Sequence, residues 1–323
     1  MKTSILNTFH LSKRILALAG IVLGLGMGAA HATSATVMTE AQAKVAAAQI
    51  VASSNPYNAA VTIAEAATAG TSSADAVLNA ALIVKYLPEK FQRIYAGRVG
   101  VGVALNFPNQ LPQITLGLAI LDKNIREHVS SLVYQLTLAG GFDQASQIAL
   151  VMGDAIRLHG EIGKQVNLIS IALLSGIYDR ANVAQADRAN ELAFVAGNLA
   201  KQVLVPDKHN KVTKSQIRSL KIIQANLANY LKLTGASDPN ALRSALANFG
   251  FTLKNSLGGV SPKVLNAILD GAQQYFLAQF PGSTTAVTQA FTAVANNDTS
   301  SISDPGNNVN HPESPAVDPS RPQ

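Results

Sequence analysis

The sequence contains no cysteine and no tryptophan, and aromatic residues occupy only 5% of its 323 positions. The absence of cysteine excludes a disulfide framework, a thiolate metal site and a cysteine nucleophile. Charged residues are also scarce, at 14%, whereas apolar residues reach 48%. A chain with so much apolar side-chain area can bury a large aliphatic core, so the composition excludes disorder throughout.

The first 32 residues carry the pattern of a cleaved signal peptide. Basic residues at positions 2, 13 and 14 precede an uncharged apolar stretch over 15–30, and Ala30-His31-Ala32 supplies the small residues that a signal peptidase accepts. Cleavage before Thr33 predicts a periplasmic or secreted protein. The alternative is an uncleaved anchor, although the 16 apolar residues are fewer than the roughly 20 needed to cross a bilayer. No later segment is long and apolar enough to span a membrane.

Removal of this leader lowers the formal net charge from +6 to +3, because 22 basic residues then face 19 acidic ones. A net charge this small on a chain of this length does not predict nucleic-acid binding. The last 28 residues, 296–323, hold five of the 13 prolines and little apolar content. We therefore expect a disordered tail there and a single helical domain over 33–295.

Helix signals dominate that domain. Asn55, Asp238 and Ser261 each precede a proline, which places an N-cap side chain before a proline at the first helical position. Apolar residues recur at spacings of three and four, and one such stripe comprises Ala189, Leu192, Ala196, Leu199 and Val203. These patterns predict an all-α fold of about a dozen short helices, at approximately 39–52, 56–69, 73–86, 88–105, 112–122, 125–139, 144–159, 161–178, 183–204, 214–233, 239–257, 262–280 and 283–295.

The helices are rich in alanine, so their backbones must approach closely to fill space, which favours a multi-helix array or a globular bundle. The first four helices begin near Thr39, Asn55, Ser72 and Leu87, at separations of 16, 17 and 15 residues. This regular spacing suggests solenoid-like stacking in the N-terminal half. The alternative is that similar helices merely begin with similar caps.

The sequence of one region is compatible with either a β-hairpin or helices. Over 98–121, Val99–Leu105 and Ile114–Ile120 alternate large and small residues, as strands of a β-hairpin do. We favour helices because the surroundings are helical and an isolated hairpin needs a third strand. The small residues would then form close-packing faces.

Motifs for chemistry are few. The four histidines after the leader lack metal-ligand spacing, no nucleophile motif occurs, and we therefore predict no metal, no cofactor and no catalytic residue. An alternative is an envelope hydrolase or lyase acting on glycan through carboxylates of Asp154, Glu161, Asp187 and Glu191. Asp187 and Glu191 share a helix face, which we interpret as solvated surface beside Arg188.

One segment concentrates positive charge. We predict an anion-binding surface formed by Lys208, Lys211, Lys214, Arg218 and Lys221. Its expected partners are lipid headgroups, lipopolysaccharide, wall polymers or an acidic protein. Nucleic acid fits poorly because no aromatic residue is interleaved before Tyr230. The alternative is a solvated charged face.

These observations predict an exported, non-enzymatic interaction protein or structural component of the bacterial envelope. It would bind an anionic envelope component or another protein, including a second copy of itself. Two alternatives are the glycan-cleaving enzyme and a carrier that holds an apolar ligand between helices.

Overall fold

The structure, a computed structural model, describes residues 37–121, 128–181, 183–234 and 238–301. Within these ranges it contains fourteen α-helices and no strand, which confirms the all-α prediction. The predicted signal peptide and residues 302–323 of the predicted tail lie outside the described ranges. No described helix is both long and apolar enough to cross a membrane.

The chain divides into two compact units, residues 1–127 and 128–323. The single helical domain expected over 33–295 stays a prediction. The described helices of the N-terminal unit are α1 (Glu40–Ala52), α2 (Pro56–Thr68), α3 (Ser73–Tyr86), α4 (Glu89–Asn106) and α5 (Leu111–Leu121). Those of the C-terminal unit are α6 (Val129–Ala139), α7 (Phe142–Leu158), α8 (Gly160–Gly163), α9 (Val166–Tyr178), α10 (Gln185–Val203), α11 (Lys214–Leu233), α12 (Pro239–Ser256), α13 (Pro262–Gln279) and α14 (Thr284–Asn296).

Alternate helices stack in the N-terminal unit. The first layer is α1, α3 and α5, in which α3 packs on both others, and the second layer is α2 against α4. Consecutive helices also pack, so each helix contacts one or more helices of its own layer and one or more of the other layer. This is the solenoid-like stacking that the helix spacing suggested.

The same stacking order holds in the C-terminal unit, where the sequence did not suggest it. One layer runs α6, α9, α11, α13, and the other runs α7, α10, α12, α14. Helix α10 lies at the centre and packs against α7, α9, α11 and α12. The predicted stripe from Ala189 to Val203 supplies this contact, and all five of its side chains are buried.

Small residues set the distance between stacked helices. A Cβ atom added at Gly102 of α4 would lie 2.3 Å from the carbonyl oxygen of Val61 in α2. At Gly153 of α7 it would lie 2.8 Å from the carbonyl oxygen of Leu199 in α10. Equivalent close approaches occur at Gly176 (α9 to α6), Gly197 (α10 to α12) and Gly250 (α12 to α14). The close-packing role predicted for small residues is therefore found in both units.

The local predictions are mostly confirmed. Residues 98–121 are helical in α4 and α5, not a hairpin, and Asn55 and Asp238 cap their helices through side-chain oxygens. Two details were wrong. Ser261 occupies the N-cap position of α13 without a side-chain cap bond, and the helix expected over 161–178 is divided into α8 and α9 by a turn at Lys164 and Gln165.

Candidate anion-binding surface

The loop between α10 and α11 is held in shape by one carboxylate. Oδ1 of Asp207 accepts hydrogen bonds from the backbone N–H groups of His209 (2.8 Å) and Lys211 (3.0 Å). The N–H of Asp207 donates in return to the carbonyl of Lys211 at 3.0 Å. Asn210 adopts a left-handed conformation (φ 55°), which asparagine accepts more readily than most residues. This single acidic residue therefore organises the loop that carries Lys208 and Lys211.

The start of α11 fixes the other end of the loop. Thr213 and Gln216 form a capping box, in which each side chain bonds to the other residue's backbone N–H. The same Gln216 amide donates to the carbonyls of Val203 (2.9 Å) and Val205 (2.7 Å) at the end of α10. The loop is therefore tied to both of the helices that it joins.

All five predicted cations are exposed on this scaffold: Lys208 and Lys211 in the loop, and Lys214, Arg218 and Lys221 on α11. We call these five residues the basic loop–helix surface. None of them forms an ion pair within the described part of the chain. The positive pole of α11 lies beside them and adds to their potential.

Asp207 keeps its negative charge beside Lys211 and is held by the loop backbone. Backbone hydrogen bonds from Lys211 and His209 hold the pKa of its carboxyl below the usual range. Its occupied oxygen is directed to the loop backbone, where it is a structural anchor. The sequence signal for this role is an aspartate two residues before His209 and four before Lys211, the spacing of an Asx turn.

Two carboxylates of the glycan-cleaving alternative, Asp154 and Glu191, form ion pairs with arginines. Asp154 pairs with Arg157 at 2.6 Å on α7. Its neighbour Gly153 faces Leu199, which lies eight residues, about 12 Å, along α10 from Glu191. Glycosidase carboxylates are separated by roughly 5–9.5 Å. The position of Asp154 therefore gives no support to a pair with Glu191, and the enzyme hypothesis stays untested.

Glu191 corrects one interpretation made from the sequence. It is 4% exposed rather than solvated. It forms an ion pair with Nη1 of Arg180 at 3.4 Å, and Nη2 of Arg180 donates to the carbonyls of Thr137 (3.2 Å) and Gly141 (3.0 Å). Burial lowers the pKa of Arg180, and the charge of Glu191 opposes that shift. This arrangement links the end of α6 to α10 and is structural.

Within the described residues, no three histidine, aspartate or glutamate side chains form a group that could hold a metal ion. Comparison of this chain with protein-family models, with curated proteins and with solved structures finds no match in any of the three. The inference of function therefore depends on the residues and their geometry.

Proposed function

We propose that this protein is exported and acts without catalysis, as a stacked-helix protein whose basic loop–helix surface binds an anionic polymer of the bacterial envelope. The observation that carries the proposal is five exposed cations on a tied loop and helix, none with an ion-pair partner in the described chain. The export part comes from the leader sequence at 1–32.

The fixed backbone of the loop that carries Lys208 and Lys211 supports a polymer as the partner. The hydrogen bonds of Asp207 and Gln216 fix the loop backbone, so Lys208 and Lys211 lose less backbone entropy on binding than residues of a loose loop would. Lys214, Arg218 and Lys221 recur at four and three residues, so they share one face of α11. A row of cations with no exposed large apolar side chain among them suits a repeating anion such as phosphate.

Polymer binding of this kind depends steeply on salt. Each phosphate that a lysine neutralises releases bound counterions, so the affinity falls as salt rises. The experiment measures binding of the chain from Thr33 onward to a fluorescent inorganic polyphosphate over a series of salt concentrations. The triple variant Lys211→Gln, Lys214→Gln, Lys221→Gln should reduce the log–log salt slope by roughly 2.

A matched control removes the same charge from exposed lysines elsewhere in the C-terminal unit, at Lys164, Lys232 and Lys263. This control triple should keep the slope of the unmodified chain. Equal losses in the two triples, or no binding by the unmodified chain, would overturn the proposed surface. Export is tested separately, by cell fractionation and by a measured mass that begins at Thr33.

A further inference from the structure

A second basic surface lies in the N-terminal unit, where α3 ends and α4 begins. Three cations project there, Lys85, Lys90 and Arg93, and all are exposed. Three large side chains lie among them in the sequence: Tyr86 and Phe91, which are half-buried, and Ile94, which is 48% exposed. We call these six residues the corner surface.

The two lysines of the corner surface lie over its aromatic rings. Nζ of Lys85 lies 5.1 Å from the centre of the Tyr86 ring, and so does Nζ of Lys44 from α1. Nζ of Lys90 lies 4.8 Å from the centre of the Phe91 ring. Phe91 also stacks on Tyr95, with ring centres 5.5 Å apart. The two rings therefore have lysine ammonium groups over their faces, and Phe91 is also held by Tyr95.

Acidic residues offset this charge only in part. Glu40 pairs with Lys85 at 3.6 Å, and the nearby Tyr86 hydroxyl and Lys85 lower the pKa of its carboxyl. Glu89 is exposed in the first turn of α4. With Lys44, Lys85, Lys90 and Arg93 opposite them, the corner keeps a net charge of +2. A single exposed isoleucine needs no explanation. Here, however, Ile94 follows Phe91 by about one turn of the same helix, and the exposed cations Lys90 and Arg93 lie within four positions of it.

This combination differs from the basic loop–helix surface, which has charge but no apolar centre. Aromatic rings and long basic side chains are the residues that settle at the boundary between lipid headgroups and acyl chains. An apolar residue that inserts and cations that bind anionic headgroups act together there. We infer that the corner surface binds the surface of an anionic lipid membrane, with Ile94 and Phe91 inserted and Lys85, Lys90 and Arg93 at the headgroups.

The matched control for this inference lies on the same helix. Leu105 is 47% exposed, almost as much as Ile94, and eleven residues of α-helix bring it to nearly the same face. Ile94→Ser should weaken binding to vesicles of phosphatidylglycerol and phosphatidylcholine in equal parts by about fivefold to tenfold. Leu105→Ser should leave that binding unchanged, and vesicles of phosphatidylcholine alone should bind little of any variant.

Tryptophan gives a second readout that does not depend on affinity, because the chain has none of its own. The fluorescence of Ile94→Trp should shift to shorter wavelength on addition of the mixed vesicles, whereas that of Leu105→Trp should not. Circular dichroism of each variant shows whether it keeps its helices.

A charge-removing variant of the corner surface distinguishes this inference from the proposed function. Lys85→Gln, Lys90→Gln, Arg93→Gln should weaken vesicle binding by about a hundredfold at low salt and leave polyphosphate binding intact. The triple variant of the basic loop–helix surface (Lys211→Gln, Lys214→Gln, Lys221→Gln) should weaken polyphosphate binding and leave vesicle binding intact. Equal effects of Ile94→Ser and Leu105→Ser, binding of soluble acidic peptide in place of vesicles, or no vesicle binding by the unmodified chain would each overturn the inference.

Discussion

Each unit buries an arginine, but the two guanidinium groups have different surroundings. Arg98 of α4 is 5% exposed, and its guanidinium carbon lies 4.0 Å from the centre of the Tyr57 ring in α2. Its Nε donates to the carbonyl of Tyr57 at 3.4 Å, and no described carboxylate forms an ion pair with it. Arg180 of the C-terminal unit, in contrast, has the carboxylate of Glu191 and two backbone carbonyls.

The difference shows two ways of keeping a charge inside a stack of alanine-rich helices. Burial lowers the pKa of both arginines, yet both groups stay protonated because the ordinary pKa of arginine is so high. In the C-terminal unit, opposite charge compensates the lost hydration. In the N-terminal unit, Tyr57 does so through the face of its ring and its backbone carbonyl, and these contacts are weaker than an ion pair. The two units should therefore respond differently when a partner is removed.

The largest effect is expected from Glu191→Ala. Removal of one member of a buried ion pair leaves the other charge uncompensated and costs about 3–5 kcal/mol. Hydrogen exchange measured helix by helix on the full chain should show lower protection in α6, α9 and α10, with α1 to α4 unchanged. Glu161→Ala, which removes an exposed carboxylate in the same unit, is the control. An unchanged melting curve for Glu191→Ala would show that the pair does not stabilise the fold.

Close approach at glycine is the feature that the units share, so substitution should be costly in both. Gly102→Ala and Gly153→Ala place a methyl group against a backbone carbonyl of the stacked partner, which should cost about 1–3 kcal/mol each. Gly271→Ala on α13 meets nothing within 4 Å and should stabilise its helix by about 0.5–1 kcal/mol. Thermal unfolding of the three variants gives the comparison. If all three raise the melting temperature, the stacking distance is not set by these glycines.

The sequence predicted individual helices better than it predicted their packing. Periodicity and caps depend on neighbours a few residues away, so α2, α10 and α12 begin near their predicted positions. Stacking joins helices that are separated by another helix, and it requires only a small residue at the crossing. In a chain with 23 glycines and many alanines, the sequence does not distinguish Gly153 from glycines that end helices. The second stacked unit was therefore not predicted.

For the polar residues, too, the sequence predicted local features better than contacts between distant residues. A local count of charge predicted the exposure of the cations from Lys208 to Lys221, since solvated lysines cluster in loops and on helix faces. The burial of Glu191 depends on Arg180, eleven residues away and across the bend between α9 and α10. No spacing rule connects those two residues, so the helix-face argument placed Glu191 in solvent.

The smallest expected effect tests the ring beneath Arg98. Tyr57→Leu removes the aromatic face but keeps an apolar side chain, and it should lower the free energy of unfolding by about 0.5–2 kcal/mol. Tyr57→Phe keeps the face and should retain most of that stability, as measured by hydrogen exchange in α2 and α4. If the phenylalanine variant loses as much as the leucine variant, the hydroxyl, not the ring, stabilises the buried charge. The contrast with Arg180 would then be one between two polar partners, because both arginines would depend on an oxygen atom.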